Sequence, residues 1–335
     1  MASAQGAFQG PVNIAIIGGT GLESLPSFEP IAQLPLAHPS LQTPWGAPSS
    51  PITILSHTRP GSKPLNVAFL SRHGLNHEFA PHEVNSRANI AALRKIGVRS
   101  IIAFSAVGSL KEEVRPRDFV IPNQVIDRTK GIRPFTFFEQ GVVCHVPFAD
   151  PFDNDLREVI IKALEAVPVL EATPDPDKPA TAEIPKLHTS GLVVCMEGPQ
   201  FSTRAESHLY RSWGASVINM SALPEAKLAR EAEISYAMIC MSTDYDCWHE
   251  EDVSVAMVMA NMKANAGNAR KVAEVILDTL AKADDHDVDP LIRKAAHGEA
   301  LKGSTLGGLS GVSVVPETRA SVNSRIGWLF EDWKH

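Results

Sequence analysis

Four short segments, each following an apolar run, constrain most strongly what this chain can fold into. They are IIGGTG at residues 16–21, SRHG at 71–74, INMS at 218–221 and STDYD at 242–246. A short apolar run that ends in glycine or in charge reads as a buried strand with a functional carboxyl end. Further strands are expected at 52–55, 100–106, 119–126 and 191–196. Between the strands lie stretches of helical spacing at 84–95, 154–166, 202–213, 224–233 and 253–280, the last with a break expected at Gly267. Such alternation predicts an α/β domain with a parallel or mixed sheet. Ligands of α/β folds gather at the carboxyl ends of strands, where these segments fall.

The organisation follows from where these patterns stop. Residues 1–11 read as a loose tail and 12–283 as a single domain. Residues 167–186, with five prolines and scattered acids, read as a surface insertion. Residues 284–335 turn acidic and then Gly/Ser-rich, and read as a peripheral extension. With 335 residues, 44% hydrophobic and 21% charged, the chain can bury a large core. Its 31 Lys and Arg against 38 Asp and Glu give a net charge of −7, which argues against nonspecific nucleic-acid binding but leaves room for a local basic pocket. Four cysteines without a CxxC pair are expected to be buried, reduced thiols. No signal peptide is read at the start, and no apolar stretch reaches the roughly 20 residues of a membrane helix. The expected compartment is the cytoplasm, with the nucleus as a second.

Each motif has its own chemistry. Glycines after a strand let backbone N–H groups converge on an anion, and Thr20 adds a hydroxyl. The dinucleotide spacing GxGxxG fails at Ser24, and no GK[ST] is present. Arg72 is suited to grip phosphate with two parallel N–H bonds, and His73 to donate to the same anion or to shuttle a proton. Ser105 and the Ala106 amide, after another strand, are placed to close the far side of an anion site. No metal is expected, because HEFAPH at 77–82 is not HExxH.

At the opposite end, Phe201 is suited to stack on a flat base, with Ser202 as hydrogen-bonding partner or helix N-cap. Asn219 carries donor and acceptor for a purine edge, Met220 offers a pliable floor under a sugar, and Ser221 adds a hydroxyl. Asp244 and Asp246 fall on one side if the segment is extended. Close carboxyls raise one another's proton affinity, so one of them can stay neutral and donate to purine N7.

IIGGTGL, SRHG, GSL, IDRT at 126–129, CHVP at 144–147, EGPQFSTRAE, WGASVINM, STDYDCW and VSV at 253–255 occur in one order. In this the chain resembles the S-methyl-5'-thioadenosine phosphorylase family of the trimeric purine nucleoside phosphorylase type, over residues 12–281. The resemblance implies one domain with a central mixed, partly barrel-like sheet flanked by helices. It implies phosphorolysis of methylthioadenosine to adenine and 5-methylthioribose 1-phosphate, without cofactor, inorganic phosphate being the co-substrate. Phosphate would be held by Thr20, Arg72, His73, Ser105, Ala106 and Ser221, the ribose by Met220, and adenine by Asp244 and Asp246 with Ser202 and Phe201 nearby. The methylthio group would meet Val255, Val258 and Met259. A neighbouring subunit of a homotrimer would supply His145. Gln200 and the Ser221-Ala222 pair depart from the family pattern, and a 6-oxopurine nucleoside phosphorylase is the alternative.

Overall fold

The strands that end in the motif segments lie side by side in one sheet, which is why the motifs meet. The structure is a computed structural model that describes residues 10, 12–19, 22, 25, 28–58, 64–174, 182–249, 253–310 and 316–330. Its strands are β1 Ile14–Gly18, β2 Glu29–Leu34, β3 Ile52–His57, β4 Leu65–Ser71, β5 Ser100–Ser109, β6 Phe119–Val120, β7 Gln124–Arg128, β8 Val143–Cys144, β9 Thr173–Pro174, β10 Ala182–Glu183, β11 Leu187–His188, β12 Leu192–Met196, β13 Val217–Asn219, β14 Ser235–Asp244 and β15 Leu309–Ser310. Its α-helices are α1 Ser86–Lys95, α2 Asn154–Ala166, α3 Arg204–Ser212, α4 Ala222–Glu231, α5 Val255–Leu280, α6 Pro290–His297 and α7 Pro316–Ile326.

Eleven strands form one mixed sheet in the order β11-β6-β14-β5-β1-β4-β3-β2, with β13, β12 and β7 branching from β5. Strands β4, β1, β5 and β14 are parallel neighbours, and β13 runs antiparallel to β5. The sheet does not close into a barrel. Both faces are covered. Ile14 and Ile16 enter one core cluster and Ala15 and Ile17 the other, the pattern of a strand buried on both sides. Helices α1 and α4 pack on the Ala15 face; α2, α5 and α6 pack on the Ile14 face.

Several boundaries differ from expectation. Helix α3 starts after Thr203, not Ser202: Thr203 accepts from the Glu206 amide while Glu206 reaches back to the Thr203 amide, a capping box. Helix α5 runs unbroken through Gly267, where the space around the missing Cβ is open. The region after residue 284 is less peripheral than its composition suggests. Val322, Ile326, Leu329 and Phe330 are buried in the main core, and β15 pairs with β8. Each such apolar side chain contributes about 1.5–3 kcal/mol on burial. The Pro-rich stretch is anchored too: β9 pairs with β10, and Val169 and Leu170 pack against the core. Of the 1–11 tail, residues 1–9 and 11 lie outside the described residues.

Candidate active site

Register sets the site. Gly18 pairs with Ser71 across β1 and β4, and Ile17 pairs with Ala103 across β1 and β5. Asp244 pairs with Gly108, as does Ile218 from the antiparallel side. The ends of five strands therefore border one cavity of about 300 Å³. Arg72, His73, Ser105, Ala106, Ser221, Asn219, Met220, Phe201, Asp244, Asp246 and Val258 all line it. Thr20 lies outside the described residues. Val255 and Met259 are exposed and do not line it, and Ser202 sits just behind, its hydroxyl 3.5 Å from Met196 Sδ. His145 is exposed and does not line this chain's own cavity.

One end is a nest of donors. The Ser105 and Ser221 hydroxyls are 2.8 Å apart, and the Asn219 amide donates to Ser105 at 3.2 Å. Asn219 Oδ1 in turn accepts from the Ala222 amide at 3.4 Å. Asn219 is thus committed to holding the serines and the start of α4, not to a purine edge. Arg72 is 3% exposed and is not the free fork expected. Its Nε and Nη2 donate to Glu225 at 2.9 and 3.0 Å, and Nη1 donates to the Phe104 carbonyl at 2.9 Å. Tyr236 donates a further bond to Glu225 at 2.7 Å. Only the remaining guanidinium N–H bonds are left for the cavity. Gly19 is required here: a Cβ on it would stand 2.5 Å from Arg72 Nη1 and 2.8 Å from the Phe104 carbonyl.

His73 also departs from the expected role of anion donor. Its Nδ1 lies 2.9 Å from the Phe79 carbonyl, which can only accept, so Nδ1 carries the hydrogen. Burial, and then the charge of Arg72, hold its pKa down to about 4. The ring is neutral near pH 7 and presents Nε2 as an acceptor, suited to a hydroxyl or to a protonated phosphate oxygen.

The other end is acidic. Asp244 closes β14 and is 4% exposed. Its Oδ2 accepts from Thr243 Oγ1 at 2.7 Å and its Oδ1 from the Asp246 amide at 2.8 Å. Burial, reinforced by the Asp246 charge, pushes its pKa up to about 6 against those hydrogen bonds. Burial raises Asp246 as well. The two carboxyls share the cavity for a different reason than strand alternation: Asp246 has φ +48° and begins a short 3₁₀ turn. Gly108 lies against them, and a Cβ there would meet Asp244 Oδ1 at 3.0 Å.

Between the ends, Met220 and Met196 form an apolar floor. It is pinned by Arg133, which the sequence did not single out. Arg133 is buried, ion-paired to Glu197, and donates Nη1 to the carbonyls of Met220 and Leu223 at 2.6 and 2.9 Å. Glu225 is likewise unmarked in the sequence, and Thr243 lies within STDYD without a role of its own there. The run of apolar residues that places Thr243 in a buried strand end is the available signal for it; for Glu225 and Arg133 there is none, because Arg72 lies 153 residues from Glu225 and the partners of Arg133 lie 64–90 residues from it.

Hydroxyls, an apolar floor and a pair of buried acids at the carboxyl ends of one sheet's strands are the arrangement a phosphorylase needs. The Phosphorylase superfamily model matches residues 13–278. The S-methyl-5'-thioadenosine phosphorylase of Emericella nidulans is 59% identical over 96% of this chain and 83% of its own length. That of Ajellomyces capsulatus is 56% identical over 98% of both chains. Among solved structures, a methylthioadenosine phosphorylase from an Antarctic soil metagenomic library aligns with TM-score 0.76 and 37% identity, covering 96% of this chain and 100% of that one. A mutant adenosine/methylthioadenosine phosphorylase of Schistosoma mansoni in complex with methylthioadenosine aligns with TM-score 0.74 and 32% identity, over 90% and 100%. The chain belongs to the S-methyl-5'-thioadenosine phosphorylase family.

Proposed function

We propose that this chain cleaves S-methyl-5'-thioadenosine with inorganic phosphate, releasing adenine and 5-methylthioribose 1-phosphate. The observation that carries this reading is a buried Asp244 with its pKa raised to about 6, in the same cavity as the Ser105–Ser221 hydroxyl pair and Arg72. As the glycosidic bond lengthens, positive charge develops on the sugar. Phosphate held by the serines, the Ala106 region and Arg72 lies beneath that carbon and stabilises the charge. The neutral Asp244 donates to N7, so that adenine leaves uncharged. His73 Nε2 accepts from a phosphate hydroxyl, and Met220 and Phe201 hold ribose and base. Phosphate is the only co-substrate, and the reading needs no cofactor or metal.

The test is adenine release from methylthioadenosine with and without phosphate. Release that is independent of phosphate would remove the phosphorolytic reading. Inosine serves as the discriminating substrate: faster cleavage of inosine than of methylthioadenosine would favour the 6-oxopurine alternative.

The reading includes a homotrimer. Phe201 at the cavity, and Val255 and Met259 on α5, are 43%, 67% and 48% exposed, an apolar rim that a second copy would cover while supplying its His145 to the 5' end. Sedimentation of a monomer with full activity would remove that part. We place the enzyme in the cytoplasm and secondarily the nucleus, a reading supported by four free cysteines, of which Cys195 and Cys240 are fully buried. Among the described residues, no helix is long and apolar enough to cross a membrane.

A further inference from the structure

A second cavity, of about 220 Å³, shares no lining residue with the first. It lies between the last turn of α1, the end of α4 and the segment after α6. Its charged and titratable lining is Arg94, Arg99, Glu233, His297, Glu299 and Lys302. Arg94 is 8% exposed. Its Nε is fully enclosed and has no hydrogen-bond partner. No described residue forms an ion pair with its guanidinium.

The other lining groups are engaged elsewhere or stand at the mouth. Glu233 is committed to backbone, its two oxygens accepting from the Gly303 and Thr305 amides at 2.8 and 2.9 Å. His297 is engaged at both ring nitrogens, with Asn13 at 3.1 Å and Asp284 at 3.2 Å. Arg99 turns Nη1 to the carbonyls of Gly97 and Val98. Glu299 stands at the start of a 3₁₀ turn, exposed to solvent. Lys302 is exposed and brings a further positive charge to the mouth. A guanidinium taken out of water without a counter-charge is strongly destabilising, and buried charges are normally paired.

We infer that this cavity is a binding site for a phosphate group, held by the Arg94 fork with Lys302 at the entrance and distinct from the phosphate of the reaction. A planar fork matches two oxygens of one oxyanion, and the three cations of the lining outnumber its two carboxylates, so the cavity favours an anion. Free phosphate and the phosphate of a small monoester share this chemistry.

Equilibrium dialysis of radiolabelled inorganic phosphate on the full-length chain tests it. The wild type is expected to hold two equivalents per chain, and Arg94→Met one, with methylthioadenosine turnover within about twofold of wild type. Lys302→Ala, on the exposed rim, is expected to weaken the second equivalent by about threefold to tenfold, a salt-screened surface effect. It also keeps the test decisive if Arg94→Met fails to fold. Glycerol 2-phosphate that displaces the Arg94-dependent equivalent makes a monoester the ligand; failure to displace it makes free phosphate the ligand. A wild type holding one equivalent, or an Arg94→Met chain holding as many as wild type, overturns the inference. So does a chain ended at Phe330 that gains an equivalent the full chain lacks, since the chain's own end would then be the occupant. An inactive protein that keeps the Arg94-dependent equivalent would sink the proposed reaction and leave this site standing.

Discussion

The two ends of the active-site cavity are built by different means. The phosphate end is assembled from parallel strand ends whose register is fixed by backbone pairing, and its one strong charge, Arg72, is answered by Glu225 from α4. The base end rests on a single strand end and a left-handed turn at Asp246, and burial makes its charge costlier to form. One end holds a cation already paired with a carboxylate; the other holds a carboxyl whose proton affinity is raised. The contrast shows that the same sheet edge tunes opposite charges by opposite devices, a counter-ion in one case and desolvation in the other.

The sharpest way to break this contrast is Asp244→Ala, expected to lower turnover about 10²–10⁴-fold through loss of general acid help. Near-normal turnover would remove Asp244 from that role. The companion expectation is pH dependence. With a pKa of about 6, the protonated fraction falls as pH rises, so kcat/KM should decline on the alkaline side of pH 6. Asp244→Asn should flatten that limb. A folded value raised from 3.8 to about 6 means the native state binds the proton more tightly. Its stabilising contribution is present below about pH 4 and is lost as pH rises through 6, about 3 kcal/mol in full.

Next in size is Glu225→Ala, which leaves Arg72 buried without its partner. It should destabilise the fold by about 3–5 kcal/mol, read by urea unfolding. An unchanged midpoint would show that Arg72 finds water or another acceptor. Val258→Ala tests the one residue, of the three expected against the methylthio group, that lines this chain's own cavity. It should reduce the preference for methylthioadenosine over adenosine by about tenfold. The smallest effect belongs to Ser105→Ala, which removes one member of the hydroxyl pair but leaves Ser221 in place. The KM for phosphate should rise about threefold to tenfold with the KM for nucleoside unchanged. An equal rise in both would mean that the pair holds the fold of the cavity and not the anion.

Much of the architecture was legible because apolar runs and their terminators are local. The strands at 14–18, 65–71, 100–109 and 235–244, and helices α1 to α5, follow directly from period and punctuation. Errors fall where two local signals compete. Ser202 and Thr203 are both capping residues, and Glu206, three positions after Thr203, decided between them. In the extension after 284, a run of acids followed by glycine and serine conceals Val322 and Ile326 of α7, because a short helix needs only a narrow stripe to dock on an existing core.

What the sequence alone determined was which chemistry each strand end carries: glycines and an Arg-His pair, a serine, an Asn-Met-Ser run and two aspartates, each set by its neighbours in the chain. What only the tertiary structure decided was how those groups are charged and aimed. Glu225 commits most of the Arg72 fork, the Phe79 carbonyl makes His73 an acceptor, Asn219 is turned to Ser105, and burial raises the proton affinity of Asp244. Protonation and hydrogen-bond direction depend on partners brought from distant parts of the chain and on the exclusion of water, and neither is encoded in local spacing.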